Sequence, residues 1–198
     1  MIARIITSLF ILVASSVQVH AEDMYRLPAR TVYGLIPNVH YVEFDLEKTN
    51  IRHEDAQYLD KLFDITQEVV RGRHFMMTSY KVDGHQKHYK EKYTKTIEKA
   101  MTELSYLDAP SDALKEVEEL ISEAILEQYQ FFTNLGKKYK SQTHVIHIDW
   151  SVEFRDHYVQ SSHSKLIRAY NILNRTYFTE NDQNKQAFYQ HLCALDFI

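Results

Sequence analysis

Two closely spaced side chains in Thr143–Phe154 (THVIHIDWSVEF) are of the types that bind metal ions. On an extended strand, His147 and Asp149 point to the same face, about 6.6 Å apart along the chain, and can chelate one ion. Glu153 is a third candidate, but on the same strand it lies beyond the reach of the other two. The polar face of an amphipathic strand has the same pattern. Metal binding, and with it a metal-dependent hydrolase, therefore stays an alternative.

Signatures of other enzyme chemistry are absent from the sequence. It contains no Gly-x-Ser-x-Gly and no His-Glu-x-x-His, and Cys193 lacks the context of a known Cys-His nucleophile. As the single cysteine, Cys193 excludes an internal disulfide, and its apolar helix face predicts a buried small hydrophobe. His163 is expected to be a hydrogen-bonded core histidine. The sequence therefore leans away from an enzyme, and no cofactor is predicted.

The N-terminus has the three-part layout of a secretory signal. Met1–Arg4 is basic, Ile5–Val17 is mostly apolar, and small residues precede a cleavage position after Ala21. The apolar part is shorter than the ~20 residues that a membrane-spanning helix needs. We therefore predict a periplasmic or secreted protein with no stable membrane span after removal of residues 1–21.

Composition narrows the classes of fold and partner. The formal net charge is −4, which disfavours nucleic acid as a partner because its binding requires concentrated cationic surface. The chain has 4 glycines in 198 residues, whereas average usage would give about fourteen. Loops that bind nucleotides depend on glycine, so its scarcity argues against a nucleotide-binding fold. It also favours a helical chain.

Three segments alternate apolar and polar residues, or read as apolar runs ended by a turn, and are predicted to be strands. They are Val42–Glu47, Phe75–Val82 before the Asp83-Gly84 turn pair, and Val145–Phe154. The prediction is an α+β fold in which a small mixed sheet of about three strands is covered by helices. We expect an extended lead-in over 22–38, the α+β domain over 39–154 and a helical extension over 155–198.

Apolar residues that recur every three or four positions predict five helices. They run from Asn50 to Gly72, from His85 to about Leu107, from Ser111 to Gly136, from Val159 to Tyr177 and from Thr179 to Leu195. The second is rich in lysine on its outer face and the third is acidic. As antiparallel neighbours, these two helices either face each other across a groove or present two separate solvated faces.

The first half of the chain resembles a known family. The stretch VEFDLEKTNIRHEDAQYLDKL is similar to the start of the OmpA-like domain, the periplasmic module of outer-membrane protein A, peptidoglycan-associated lipoprotein and the flagellar stator protein. The matching residues are Val42, Phe44, Asp45, Lys48, Thr49, Ile51, Leu59, Asp60, Lys61 and Leu62. The resemblance covers 39–110 and extends thinly to Trp150.

The resemblance also implies a binding site for the carboxylates and amine of peptidoglycan. Asp83 falls at the family's aspartate, Thr94 at its serine and Lys90 at its asparagine, which makes these three the candidate ligand-binding residues. The family's arginine is replaced by Ile97. A guanidinium pairs with a carboxylate through two hydrogen bonds, so this departure removes the main anchor for the anionic ligand.

The function predicted from the sequence is an exported cell-envelope binding or structural protein, of the kind a degenerate peptidoglycan-associated module would be. Its expected partner is the cell wall or another envelope protein. One alternative is a secreted helical factor that binds another protein through its basic and acidic helices. The other is the hydrolase that uses His147, Asp149 and Glu153.

Overall fold

A computed structural model of the chain describes residues 51–79, 86–139, 148–177, 188–189 and 192–196. Its helices are α1 (His53–Ser79), α2 (Gln86–Ser105), α3 (Asp112–Lys138), α4 (Trp150–Glu153) and α5 (His157–Thr176). Residues 188–189 and 192–195 are also helical. Within these ranges no residue belongs to a strand, so the α+β prediction is wrong and the described part is helical.

The strand predicted over Val145–Phe154 is a short helix where the structure describes it. Trp150 and Phe154 are both buried, with ring centroids 5.5 Å apart, whereas Val152 between them is 53% exposed. Positions i and i+4 share a face in a helix as well as in a strand, and only i+2 distinguishes the two. The alternation was therefore compatible with a helix once Val152 was allowed to face solvent.

The strand predicted over Phe75–Val82 is wrong for its described part, Phe75–Ser79, and for a second reason. We expected α1 to end at Gly72, but the helix continues to Ser79. A Cβ added to Gly72 would lie 3.1 Å from Cγ2 of Thr96 on α2. Contacts of that length are tighter than side chains usually allow, so this glycine permits close packing of two helices rather than ending one.

The remaining helices follow from the apolar spacing and from capping residues. Ser111 accepts a hydrogen bond from the backbone N–H of Leu114 and caps α3, and Asp156 accepts one from Tyr158 and caps α5. These helices and α2 agree with the predicted ones to within a few residues.

The helices share one hydrophobic core. α1 packs against α2, α3 packs along α5, and α3 joins the two pairs through smaller contacts with α1 and α2. Leu62, Leu114, Ile121 and Leu173 are almost completely buried in this core, and Leu195 of the short C-terminal helix is buried with them. The residues expected to form an extension beyond 154 therefore contribute to the core.

The helical architecture conflicts with the sheet that an OmpA-like domain requires. Residues expected to form its second strand belong to α1, and those of its closing strand that are described belong to α4. Val42–Glu47 and the signal-cleavage position after Ala21 lie outside the described residues. Among the helices described here, none combines the length and apolar character needed to cross a membrane.

Candidate functional site

The residues predicted to bind metal have other contacts. Asp149 caps α4, and its Oδ1 accepts hydrogen bonds from the Ser151 backbone N–H at 3.1 Å and hydroxyl at 2.6 Å. Glu153 Oε1 accepts from Lys138 Nζ at 2.5 Å and from the Tyr139 hydroxyl at 2.9 Å. His147 lies outside the described residues. No cluster of three metal-ligating side chains is present in the described ranges.

Two of the three residues that the family resemblance implied for ligand binding, Lys90 and Thr94, line an open surface depression of about 420 Å³ on α2. The third, Asp83, lies outside the described residues. Thr94 donates a hydrogen bond to the Lys90 backbone carbonyl at 3.0 Å, and its hydroxyl lies 3.2 Å from that of Tyr129. Ile97 is buried in the core. These contacts give Thr94 a role in joining α2 to α3.

The acidic side chains of α3 pair with α5 rather than with the lysines of α2. Lys165 Nζ lies 2.6 Å from Glu127 Oε1 and 3.6 Å from Glu123 Oε2. Arg168 forms an ion pair with Glu116. The groove between a basic and an acidic helix is therefore not formed by these contacts.

An open cleft of about 290 Å³ lies between α5 and the C-terminal helix, and we call it the C-terminal cleft. Most of its lining is apolar or aromatic, and the polar groups are one histidine, one carboxylate and one thiol. Its lining residues are His163, Leu166, Ile167, Tyr170, Tyr189, Leu192, Cys193 and Asp196. A concave apolar site with a few convergent polar groups is the usual form of a small-molecule site.

The polar wall of the C-terminal cleft is a histidine–carboxylate pair. His163 Nδ1 on α5 lies 2.6 Å from Asp196 Oδ2, and the histidine side chain is 34% exposed. The predicted hydrogen bond of His163 is therefore confirmed, but the ring lies at the cleft and not in the core. Cys193, predicted to be buried, is partly exposed in the same cleft.

A buried arginine holds the C-terminal helix in place. Arg73 on α1 is 1% exposed, and its Nη2 donates to the Ala194 carbonyl at 2.6 Å. Its Nη1 donates to the Leu195 carbonyl and, at 2.8 Å, to Gln128 Oε1 on α3. A cation at the C-terminal end of a helix is favourable because the last carbonyls have no partner within the helix.

Gln128 continues this network through α3 to α5. Its Nε2 donates to Ser162 Oγ and to the Leu195 carbonyl, both at 2.9 Å. Burial lowers the pKa of Arg73 to about 10, and the nearby Asp196 charge acts in the opposite direction. The guanidinium therefore stays charged at neutral pH and links α1, α3 and the C-terminal helix.

Sequence reasoning missed Arg73 and Gln128, although a signal for Arg73 was present. Leu62, Thr66, Val69, Arg73 and Met76 recur at spacings of four, three, four and three, so the arginine lies on the buried stripe of α1. A cation at such a position predicts a buried polar partner. That the partner is the backbone near residue 195 requires the tertiary structure.

Comparison with known proteins finds no relative. No family model, no curated protein and no solved structure matches this chain.

Proposed function

We propose that this chain is an exported helical binding protein that holds a small, mostly apolar molecule in the C-terminal cleft. Export rests on the predicted secretory signal. The observation that supports binding is the cleft itself, in which an apolar lining surrounds the His163–Asp196 pair.

The apolar lining of the cleft includes large side chains that are exposed to water. Ile167 is 46% and Tyr189 is 53% exposed, and both lie at the cleft. Tyr170 meets Tyr189 edge to face, with centroids 6.0 Å apart. A bound apolar group would remove part of this surface from water, which is favourable by about 25 cal/mol per Å².

The volume of the C-terminal cleft suits a small molecule. The cleft offers about 290 Å³, close to the lower end of the range for small-molecule sites. His163 would provide one hydrogen bond to a polar group of that molecule and fix its orientation.

Binding can be tested with a neutral apolar dye, N-phenyl-1-naphthylamine, whose fluorescence rises in apolar surroundings. We expect saturable binding by the full chain, and Ile167→Glu should weaken it at least about fivefold because it introduces a charge into the apolar lining. Leu126→Glu is the matched control, since Leu126 on α3 is also 46% exposed but does not line the cleft.

The two variants separate cleft binding from general stickiness. Equal affinity in Ile167→Glu and Leu126→Glu, or no saturable binding by the wild type, would exclude the C-terminal cleft as the site.

A further inference from the structure

We infer that Cys193 is a nucleophile that accepts an acyl group from an activated acyl donor bound in the C-terminal cleft. His163 would act as its base, and Asp196 would position His163. This inference rests on the proposed function, because it names the chemical class of the molecule that the cleft holds.

The fold brings a thiol, an imidazole and a carboxylate to one cleft. Cys193 and Asp196 are three residues apart at the C-terminal helix, a spacing that places side chains on one helix face. His163 reaches Asp196 from α5, so the three side chains converge from two elements. A cysteine that lines the same cleft as a base oriented by a third group has the parts of a cysteine nucleophile.

The hydrogen bond to Asp196 fixes which nitrogen of the neutral His163 ring carries the proton. A carboxylate can only accept, so in the neutral ring Nδ1 carries the proton and donates it to Oδ2 at 2.6 Å. Nε2 then has a free lone pair and can take a proton from the thiol. The structure shows no hydrogen bond between the sulfur of Cys193 and this ring, a contact that often tightens only when substrate binds.

The buried contacts of Arg73 hold Cys193 and Asp196 in a fixed position relative to each other. Arg73 binds the carbonyls of Ala194 and Leu195, which are the two residues between Cys193 and Asp196. Its charge also lies close enough to Asp196 for the two to interact. The network thus fixes the backbone that carries both the thiol and the carboxylate.

The proposed step is acyl transfer to sulfur. The donor is a thioester or activated ester whose apolar chain lies against Leu166, Ile167 and Leu192. His163 Nε2 takes the thiol proton, and the sulfur attacks the carbonyl carbon. A new sulfur–carbon bond forms, the bond to the leaving sulfur or oxygen breaks, and the ring returns the proton to the leaving group. No electrons are gained or lost, so no oxidant is needed.

The probe for this step is p-nitrophenyl octanoate, which releases p-nitrophenol when it transfers its acyl group. We expect one equivalent of p-nitrophenol in a burst and a mass increase of one octanoyl group on the full chain. Cys193→Ser should show neither. His163→Gln should slow acylation roughly 10²-fold, the usual contribution of a general base.

His157→Gln is the matched control, because His157 lies on α5 but is exposed outside the cleft. We expect it to react at the wild-type rate. Asp196→Asn should slow acylation, and Asp196→Glu, which keeps a carboxylate acceptor for His163, should restore part of the rate, which a purely structural role would not produce. Equal rates in wild type and His163→Gln would overturn the inference.

Failure of the inference and failure of the proposed function are distinguishable. If Cys193→Ser binds the naphthylamine dye and the wild type forms no octanoyl adduct, the cleft binds ligand but Cys193 is not a nucleophile. If p-nitrophenyl acetate acylates Cys193 as fast as p-nitrophenyl octanoate, the cleft does not bind the acyl chain of the donor. The inferred class of acyl donor is then wrong.

Discussion

Two arginines at opposite ends of α1 show how differently one side chain is accommodated in this protein. Arg52, just before α1, is 54% exposed and binds Asp55 through two hydrogen bonds of 3.0 and 2.7 Å. Arg73 is fully buried, and it donates to backbone carbonyls and to Gln128. The closest contacts of Arg52 are thus local, with one longer hydrogen bond of 3.5 Å to the Pro110 carbonyl, whereas Arg73 joins three separate elements.

In this protein, the contribution of an arginine to the stability of the fold depends on its burial more than on its charge pairing. The exposed guanidinium of Arg52 gains little because water competes for it. The buried guanidinium of Arg73 donates to carbonyl and amide oxygens inside the protein, and its loss removes donors that water cannot easily replace.

The largest expected effect is from Arg73→Met, which keeps much of the side-chain volume but removes the donors. The carbonyls of Ala194 and Leu195 lose this donor, and the free energy of unfolding should fall by roughly 3 kcal/mol or more. Urea denaturation followed by circular dichroism measures this loss. Arg71→Met is the control, because Arg71 pairs on the surface with Glu68 and should change stability by less than about 0.5 kcal/mol. Similar losses in both variants would contradict the comparison.

An intermediate effect is expected at alkaline pH, because buried tyrosines accompany both arginines. Burial raises the pKa of Tyr93, close to Arg73, and of Tyr177, close to Arg52 and Asp55. A raised pKa in the folded state gives stability that is complete below the ordinary tyrosine value of about 10 and falls as pH rises above it. The pKa of Arg73 is lowered to about 10, so its contribution rises over the same range and opposes part of the loss.

We therefore expect the free energy of unfolding to decrease between about pH 10 and pH 11, with about 1 kcal/mol of the decrease due to Tyr93. Tyr93→Phe should reduce the decrease by that amount. Tyr106→Phe should not, because Tyr106 is 83% exposed. Parallel pH curves for wild type and Tyr93→Phe would show that Tyr93 ionises as readily in the folded chain as in the unfolded one.

The smallest effect is expected from Arg52→Gln. Asp55 is buried and would lose both hydrogen bonds, so thermal unfolding should begin at a lower temperature than in the wild type. The shift should be smaller than that of Arg73→Met, since Arg52 remains largely in water. A shift as large as that of Arg73→Met would show that charge pairing contributes as much to stability as burial does.

The helices that have a sustained apolar stripe were predictable from the sequence. α2, α3 and α5 each repeat apolar residues over at least five turns, and local residues such as Ser111 and Asp156 define their starts. Periodicity and capping are properties of neighbouring residues, so they can be read without tertiary information.

Where they fall on described residues, the strands predicted after Phe75 and before Phe154 are wrong because short alternating runs do not separate a strand from a helix. Around Trp150 and Phe154, the exposure of Val152 distinguishes a helix from a strand, and that exposure depends on the rest of the fold. Gly72 was ambiguous in the same way, since its small size suits a helix end as well as a close contact with Thr96. For the C-terminal cleft, the sequence contained His163 and Cys193, but their meeting with Asp196 requires the docking of the C-terminal helix.

The hydrogen bond from Arg73 to the Leu195 carbonyl joins residues 122 positions apart. During synthesis, the guanidinium cannot reach this acceptor until residue 195 has been made, so for most of that time its charge must remain hydrated. Hydration of a cation at the centre of the bundle opposes early closure of the core. Complete closure of the core would thus wait until residue 195 has been made.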